Sequence, residues 1–372
     1  MKTPINPFVI SGYAGATYFC NRQEELAWIQ DQVLNGRNMV LHSWRRMGKT
    51  ALIQHYFNTF QSKDNLFIYA DLLSATSQNE GLHLIIQAVI NKLGGLERGI
   101  GSTLKKLLGQ IGATISFDNV TGMPKIKLAL QDTEQPEHTL EQVGAFLSSQ
   151  NKNVLFAIDE FQQIVHFGEK NTEALLRGWI QSHPDLRFLF SGSHRNLMIS
   201  MFSEANRPFY RCASIFQLNK IDEQDYRNFI HEKFNKAKKE IPNEIIDEIL
   251  SWSRYQTYYI QLLCNKIYGS NQSPDMNLVY SILNDIIEQE LPVFYNYQKL
   301  LTSTQWNVLT AIAKDEPVRN PLSQDFLQRH RLGAASSVRT ALEALVKKEM
   351  VIYWNDTYRV HDTLLCRWLQ QT

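Results

Sequence analysis

Three consecutive residues, Gly48-Lys49-Thr50, have the types and the order that a phosphate-binding loop requires. Backbone N–H groups at the start of a helix point at a bound anion, and a glycine lets the backbone approach that anion closely. The Lys49 ammonium would reach the β- and γ-phosphates, and the Thr50 hydroxyl would hold Mg²⁺. The usual pattern, G-x-x-x-x-G-K-[ST], begins with a glycine where this chain has Ser43. The segment predicts a magnesium-dependent nucleoside triphosphate site.

The segments on both sides of this loop predict how it is positioned. Met39-Val40-Leu41 is an apolar run typical of a buried strand, and Ala51-Leu52-Ile53 is the apolar start of a helix. A strand, a polar turn and a helix form the context in which a phosphate loop works. The candidate nucleotide contacts in the loop and the first helical turn are Ser43, Arg45, Arg46, Met47, Gly48, Lys49, Thr50 and Ala51.

A pair of acidic residues follows a second apolar run. Residues 154–158, VLFAI, are enough for a buried strand, and Asp159-Glu160 come directly after them. Two interpretations are open. The acids are solvated at the exit of a core strand, or Asp159 holds Mg²⁺ through water while Glu160 polarises the attacking water. Because a phosphate loop precedes this pair in the same chain, we predict binding and hydrolysis of ATP.

Composition limits the classes of protein to consider. A chain of 372 residues predicts two or three domains, and 44% hydrophobic residues are ample for a packed core. The formal net charge of +1 argues against an extended nucleic-acid surface, although not against a local one. The four cysteines are scattered, no apolar run reaches the length of a membrane span, and the start MKTPINPF lacks a secretory core. We expect a soluble, reduced, cytoplasmic protein.

The segment that begins at Tyr18, YFCNRQEEL, resembles the "Y-F-V-G-R-E-x-E-L" start of prokaryotic AAA+/STAND-type ATPases, the archaeal ATPase family. Periodicity alone predicts only a helix over residues 21–34. The resemblance implies that the segment packs over the nucleotide base, which makes Tyr18, Phe19 and Arg22 candidate base-site residues. Asn21 stands where the family has glycine. Core aromatic residues and a surface arginine are the alternative interpretation.

Further apolar runs predict the rest of a sheet, over residues 66–71, 187–191 and 214–218. The resemblance implies an α/β P-loop NTPase of the AAA+ type, with a parallel sheet in the strand order 5-1-4-3-2. Alternating residues over 111–130 predict an additional β-hairpin. This insertion is either a partner surface or decoration of the core.

Polar residues near the last two strands are candidates for sensing the γ-phosphate. Ser193 follows the fourth strand, where ATPases with this sheet carry a sensor, and Arg195 matches an arginine that STAND ATPases use there. Two interpretations of Arg195 are open: it reads the γ-phosphate, or it is a loop arginine that makes surface contacts. The segment that ends at Arg211, PFYR, resembles the family's "P-L-Y-x-R", which implies an arginine that neutralises phosphate charge in cis or across a subunit interface. Arg207 is a second candidate. The predicted catalytic residues are Glu160, Ser193 and Arg211.

From Asp222 onward the pattern predicts helices only, over residues 223–239, 243–252, 255–268 and 277–290. This region resembles the helical lid that follows the sheet in AAA+ proteins. The family's "G-H-P-Y-Y-x-Q-L-L" corresponds here to YQTYYIQLL from Tyr255, without the glycine and the proline. We therefore assign no site residue in the lid.

The last segment predicts a winged helix-turn-helix. Helices over residues 304–314, 324–330 and 336–348 precede two short strands around the turn signal Asn355-Asp356. The segment resembles the family's "G-S-A-S-S-V-x-x-A-L-x-x-L-x-x-x-x-L-I". Winged helices bind DNA or serve as protein modules. The candidate phosphate contacts to DNA are Ser336, Ser337, Arg339, Lys347 and Lys348.

The segment VHDTLL, which begins at Val360, resembles the Met-His-Asp motif of NB-ARC switch ATPases. That resemblance implies that His361 contacts the β-phosphate of ADP and holds a resting state. In the alternative interpretation, Asp362 caps the last helix and His361 is an ordinary strand-end residue.

These observations predict an ATPase core over residues 1–218, a helical lid over 219–296 and a winged helix over 297–372. ATP or ADP and Mg²⁺ would be bound, the metal through Thr50 and Asp159. We expect a STAND-like regulatory switch with slow hydrolysis, in which nucleotide state controls the placement of the winged helix and a protein partner or self-association is involved. The alternative is a DNA-binding AAA+ ATPase similar to origin-recognition or transposition loaders. A scaffold that has lost hydrolysis is a third possibility.

Overall fold

The apolar and amphipathic segments fold as strands and helices in a computed structural model, which describes residues 5–94, 109, 113–117, 124–128, 136–270 and 272–372. The chain forms two units, with Ser11–Ile221 in the first and Asp222–Thr372, together with Ile5–Ile10, in the second. The first unit therefore ends where the sequence changes to helices only.

In the first unit, helices alternate with strands. The strands are β1 (Met39–His42), β2 (Asn65–Asp71), β3 (Ala113–Phe117), β4 (Pro124–Leu128), β5 (Asn153–Asp159), β6 (Arg187–Gly192) and β7 (Ser214–Gln217). The helices are α1 (Gln23–Leu34), α2 (Lys49–Thr59), α3 (Gln78–Gly94), α4 (Pro136–Ser148), α5 (Thr172–Ser182) and α6 (Arg195–Ser203). In the described part of this unit, two 3₁₀ helices span Ala16–Tyr18 and Phe161–His166.

Five strands form one sheet in the order β2-β5-β6-β1-β7, and every neighbouring pair is parallel. Numbered along the chain within this sheet, the order is 5-1-4-3-2, which confirms the prediction. The predicted hairpin is also confirmed, because β3 pairs antiparallel with β4. Its turn lies outside the described residues. The parallel arrangement places the carboxyl ends of β1, β5 and β6 at one edge of the sheet.

Both faces of this sheet are buried, and strand β5 shows the alternation. Val154, Phe156 and Ile158 pack into a cluster with side chains of α3, α4, α5 and α6, whereas Leu155 and Ala157 face α1 and α2. A strand that is covered on both sides has no polar alternation, and this is why its sequence is a continuous apolar run.

The second unit contains helices and one hairpin. The helices are α7 (Glu223–Lys236), α8 (Asn243–Trp252), α9 (Thr257–Gly269), α10 (Met276–Leu300), α11 (Ser303–Asp315), α12 (Gln324–Arg329), α13 (Ala335–Lys347) and α14 (Thr363–Gln371). The strands β8 (Val351–Trp354) and β9 (Thr357–Val360) pair antiparallel. Helices α11 to α13 and this hairpin form the predicted winged helix. None of the helices in the described part of the chain combines the length and the apolarity that a membrane crossing needs.

Several helix boundaries differ from those that periodicity predicts, and α9 and α10 show the reasons. Helix α9 begins at Thr257 rather than Tyr255, because Arg254 and Tyr255 have left-handed backbone angles, with φ of 54° and 59°. Helix α10 continues through Pro292 to Leu300, well beyond the predicted end at residue 290. Periodicity reports which side chains are buried, so it does not detect a local backbone reversal or an exposed helical extension.

Candidate active site

The phosphate loop connects β1 to α2 at the carboxyl edge of the sheet. Gly48 precedes the helix with φ of 88°, a conformation that glycine adopts without a steric penalty, and Arg46 is also left-handed, with φ of 68°. Ser43 and Met47 are buried, whereas Arg45 and Arg46 are exposed. The loop therefore has the tight backbone that a phosphate cradle needs.

The Lys49 side chain is buried and folds back against this loop. Its Nζ lies 3.2 Å from Ser43 Oγ, 3.3 Å from the Trp44 carbonyl oxygen and 3.5 Å from that of Ser43. Burial lowers the pKa of Lys49, and the carboxylates of Glu160 and Asp159 oppose that shift. The ammonium thus stands in a buried site with acceptors on the loop and two nearby acids.

Asp159 joins the two predicted motifs. Its Oδ2 accepts hydrogen bonds from Thr50 Oγ1 at 2.7 Å and from the Tyr69 hydroxyl at 2.8 Å, and Oδ1 accepts from the Glu160 backbone N–H at 3.0 Å. Burial, followed by the Asp159 charge, raises the pKa of Tyr69. Tyr69 is not among the residues predicted from the sequence. Its only signal was a hydroxyl-bearing residue within an otherwise apolar strand.

The Glu160 carboxylate is held by two side chains. Ser193 Oγ donates to Glu160 Oε2 at 2.7 Å, and Gln162 Nε2 donates to the same oxygen. The backbone of Glu160 is left-handed, with φ of 50°. Ser193 follows β6 and Glu160 follows β5, so the parallel sheet brings the two predicted residues together. Gln162 was not predicted.

The donor set suits Mg²⁺ better than a softer metal. Thr50 and Asp159 supply oxygen atoms, and Mg²⁺ prefers one or two such protein ligands together with phosphate oxygens and water. In the described ranges, no group of three or more His, Cys, Asp and Glu side chains could form a dedicated metal cage. The residues present therefore fit the metal that the phosphate-loop motif implies.

Arg195 and His42 lie beside the loop. Arg195 is 8% exposed, and its Cζ lies 5.7 Å from the centre of the Trp44 ring. Burial, followed by the charges of Arg195 and Lys49, lowers the pKa of His42 to about 4. His42 is therefore neutral at physiological pH, whereas Arg195 brings positive charge to the loop.

Two of the candidate base-site residues, Phe19 and Arg22, contact different groups. The Phe19 ring stacks on His55 with 4.1 Å between centroids, and the Tyr13 hydroxyl lies 2.7 Å from His55 Nδ1. Arg22 is 4% exposed. Its Nη1 donates to Glu25 Oε1 and to the Asn219 carbonyl oxygen, and its Nη2 donates to the carbonyl oxygen of Met47 at 3.3 Å. Arg22 thus fastens the phosphate loop, a contact that the sequence did not reveal.

The remaining candidates lie outside this hydrogen-bonded group. Arg207 forms a 3.0 Å ion pair with Glu173, and Arg211 is exposed, with its Cζ 5.1 Å from the Tyr210 ring centre. His361 belongs to the second unit, where its Nδ1 lies 2.9 Å from the Glu349 carbonyl oxygen. Asp362 caps α14 by accepting from the Leu365 backbone N–H at 3.0 Å.

Solved structures with this fold are known, although no curated protein sequence matches the chain. The Walker-type ATPase PABY2304 of Pyrococcus abyssi is 15% identical with a TM-score of 0.70, over 98% of this chain and 99% of that chain. The ORC2 protein of Aeropyrum pernix, solved as ADPNP-ADP complexes, is 12% identical with a TM-score of 0.60, over 94% and 92%. At such identities the similarity concerns the fold alone.

Family models match two parts of the chain. The family described as "ATPase domain predominantly from Archaea" matches residues 19–263, and the family described as "Probable winged helix domain" matches residues 292–371. The first match covers more than half of the chain and includes the phosphate loop, the Asp159-Glu160 pair and Ser193. The chain therefore belongs to the family of ATPase domains found predominantly in Archaea, and it is a nucleotide-binding ATPase.

Proposed function

We propose that the reaction takes place at the carboxyl edge of the parallel sheet, between the phosphate loop and the Asp159-Glu160 pair. The observation that carries this assignment is the 2.7 Å hydrogen bond between Thr50 and Asp159, which joins the two motifs. Lys49 and the N–H groups of the loop would bind the β- and γ-phosphates. Thr50 and Asp159 would hold Mg²⁺, which supplies positive charge against the phosphate oxygens when bound.

Glu160 acts as the general base in this proposal. It takes a proton from a water molecule whose oxygen attacks the γ-phosphorus, while the bond to the β-phosphate bridging oxygen breaks and ADP leaves with the electron pair. Ser193 and Arg195 sense the γ-phosphate. Turnover is expected to be slow, because Lys49 already makes hydrogen bonds within the loop that nucleotide must rearrange.

Phe19 and Arg22 take different roles beside this centre. Phe19 is proposed to pack near the base, which agrees with its aromatic stack on His55. Arg22 is proposed to hold the loop in its nucleotide-binding shape, since its guanidinium contacts the Met47 carbonyl. Arg211 and His361 stay candidates for contacts to phosphate that depend on another subunit or on a resting state.

We further propose that the ATPase is a regulatory switch of the STAND type. One contact supports coupling between the helices and the winged helix of the second unit. Arg254, before α9, is half-buried and forms a 2.7 Å ion pair with Glu316, and its Nη1 donates to the Val360 carbonyl at 2.8 Å. A nucleotide-dependent shift of the α7–α10 helices would therefore carry the winged helix with it. Such a shift requires that nucleotide bind the two arrangements with different affinity.

The switch is tested with freshly purified protein and with two fluorescent labels, one in each unit. Bound nucleotide is released by heat and identified by chromatography. Fluorescence energy transfer between the two labels is then measured in three conditions: with ADP, with ATP bound to the Glu160→Gln variant, and without nucleotide. The switch predicts retained ADP and a change in transfer between ADP and ATP. Equal transfer in all three conditions would contradict it.

A second candidate function is DNA binding through the winged helix. The five predicted contacts on and after α13, Ser336, Ser337, Arg339, Lys347 and Lys348, are all exposed. The fold similarity to an ORC2 protein agrees with this candidate. Binding of a duplex should weaken steeply with salt, and Arg339→Ala should weaken it further, whereas the control Lys63→Ala should not. Duplex binding that is absent at low salt would remove this candidate.

A further inference from the structure

The short 3₁₀ helix after β5 carries a buried polar residue, Gln162, beside the carboxylate of Glu160. Gln162 is 3% exposed, and its Nε2 donates to Glu160 Oε2. Ser193 Oγ donates to the same oxygen at 2.7 Å. One carboxylate oxygen therefore accepts hydrogen bonds from two different elements, the 3₁₀ helix and the end of β6.

The end of β6 leaves space for the Gln162 amide. A Cβ atom on Gly192 would lie 2.4 Å from Gln162 Oε1 and 2.6 Å from Met198 Cγ, closer than a Cβ atom comes to a non-bonded neighbour in real proteins. Glycine at this position thus admits the amide group. The next residue, Ser193, supplies the other donor to Glu160. One strand end therefore both accommodates Gln162 and completes the pair of donors.

The backbone of Glu160 needs such support. Its φ of 50° and ψ of 39° lie in the left-handed region, which is unfavourable for a residue with a side chain. Such conformations persist where the surrounding structure fixes them, and they cluster at functional sites. The two hydrogen bonds to Oε2 fix the side chain at the point where the chain turns from the strand into the 3₁₀ helix.

The second carboxylate oxygen of Glu160, Oε1, differs from Oε2 in its hydrogen bonding. Among the residues that the structure describes, none donates a hydrogen bond to Glu160 Oε1. We propose that Gln162 is a positioning residue that, together with Ser193, anchors Oε2 and directs Oε1 toward the attacking water. As the oxygen of this water bonds to the γ-phosphorus and the bond to the bridging oxygen of ADP breaks, one proton of the water passes to Oε1. This inference rests on the proposed role of Glu160 as the base.

The test compares variants at two neighbouring glutamines. Gln162→Ala removes the donor, and Gln162→Met removes it while keeping most of the volume. Because a small displacement of a catalytic group can slow a reaction by about 100-fold, kcat should fall by roughly 10- to 100-fold in both variants. The KM for ATP and the affinity for ADP should stay near those of the unchanged protein, because Gln162 anchors Glu160 and not the phosphates. Gln163→Ala, in the same 3₁₀ helix and only half-buried, is the matched control and should keep its kcat.

Glu160→Gln is measured in parallel so that the two failures can be distinguished. If Glu160→Gln keeps its turnover, Glu160 is not the base and the proposed function fails at that step. If Glu160→Gln is inactive but both Gln162 variants keep or exceed the original kcat, only the positioning role is overturned. Thermal unfolding of each full-length variant shows whether the fold is intact. A fall in kcat for Gln162→Met at an unchanged unfolding temperature supports the inference directly.

Discussion

The hydroxyl oxygen of Ser43 lies 3.2 Å from Nζ of Lys49, so the residue that replaces the first glycine of the phosphate-loop pattern contacts the lysine of the same loop. The same hydroxyl donates to the Trp44 carbonyl oxygen at 2.9 Å. A glycine would keep the carbonyl acceptors and lose this one. The departure from the pattern therefore adds an acceptor beside the buried ammonium.

Replacement of Lys49 should abolish ATP binding without lowering the stability of the nucleotide-free protein. Lys49→Met removes the charge that would bind the β- and γ-phosphates, so ATP binding should be lost. Because burial lowers the pKa of Lys49 and disfavours its charged form, the nucleotide-free variant should unfold at a similar or higher temperature. Thermal unfolding with and without ATP measures both effects. Lys63→Met, at an exposed position after the end of α2, is the control, and ATP-dependent stabilisation that persists in Lys49→Met would contradict the phosphate-loop assignment.

Loss of the Tyr69 hydroxyl should weaken the binding of Mg²⁺ more than the binding of nucleotide. Tyr69→Phe removes the hydroxyl that donates to Asp159 Oδ2 at 2.8 Å. Partners that orient a metal ligand typically change metal affinity by about 10- to 100-fold when they are removed. The Mg²⁺ concentration for half-maximal hydrolysis should therefore rise. Tyr56→Phe is the matched control, because that buried hydroxyl donates to Gln30 instead. An unchanged Mg²⁺ requirement in Tyr69→Phe would argue against Asp159 as a ligand.

The sheet was predictable because a strand buried on both faces leaves an apolar run, and β5 is buried along nearly its whole length. Asp159, Glu160 and Ser193 were predictable because they follow such runs. The contact of Tyr69 with Asp159 was not, since it depends on the register in which β2 pairs with β5. The bonds of Arg22 to Met47 and Asn219 join segments far apart in the chain, and no local pattern records them.

The same limit applies to Gln162. Its position two residues after Glu160 is visible in the sequence, but periodicity treats it as one polar residue of a short helix. Its role depends on the left-handed turn at Glu160 and on the space beside Gly192, which are properties of the folded backbone. Local backbone reversals of this kind also explain the shortened start of α9.

His42 should make stability depend on pH. Its pKa is lowered to about 4 in the folded protein, against an ordinary value of 6.5, through burial and the charges of Arg195 and Lys49. Between these pH values the unfolded chain binds more protons than the folded protein. The contribution of His42 to the free energy of unfolding therefore rises as the pH increases from about 4 to 6.5. His42→Gln should flatten this part of the curve in denaturant titrations. His166→Gln, at an exposed position, should leave the curve unchanged. Parallel curves for His42→Gln and the unchanged protein would contradict the assignment.

Loss of the Arg254–Glu316 ion pair should destabilise the second unit. Glu316 is 7% exposed at its side chain, and its Oε2 also accepts from the Val360 backbone N–H at 3.0 Å. Arg254→Met would leave this carboxylate buried without its cation, and breaking a buried pair in this way costs about 3–5 kcal/mol of unfolding free energy.

Arg329→Met is the control for this prediction. Arg329 is 55% exposed at its side chain and pairs with Asp315 and Asp325 at the surface, where an ion pair contributes about 1 kcal/mol or less. Denaturant unfolding of the full chain measures both variants. Because Arg254 connects the segment before α9 to Glu316 and β9, its loss should also expose that segment to proteolysis, while Arg329→Met should not. Equal losses of stability in the two variants would mean that Arg254 does not fasten the helices to the winged helix.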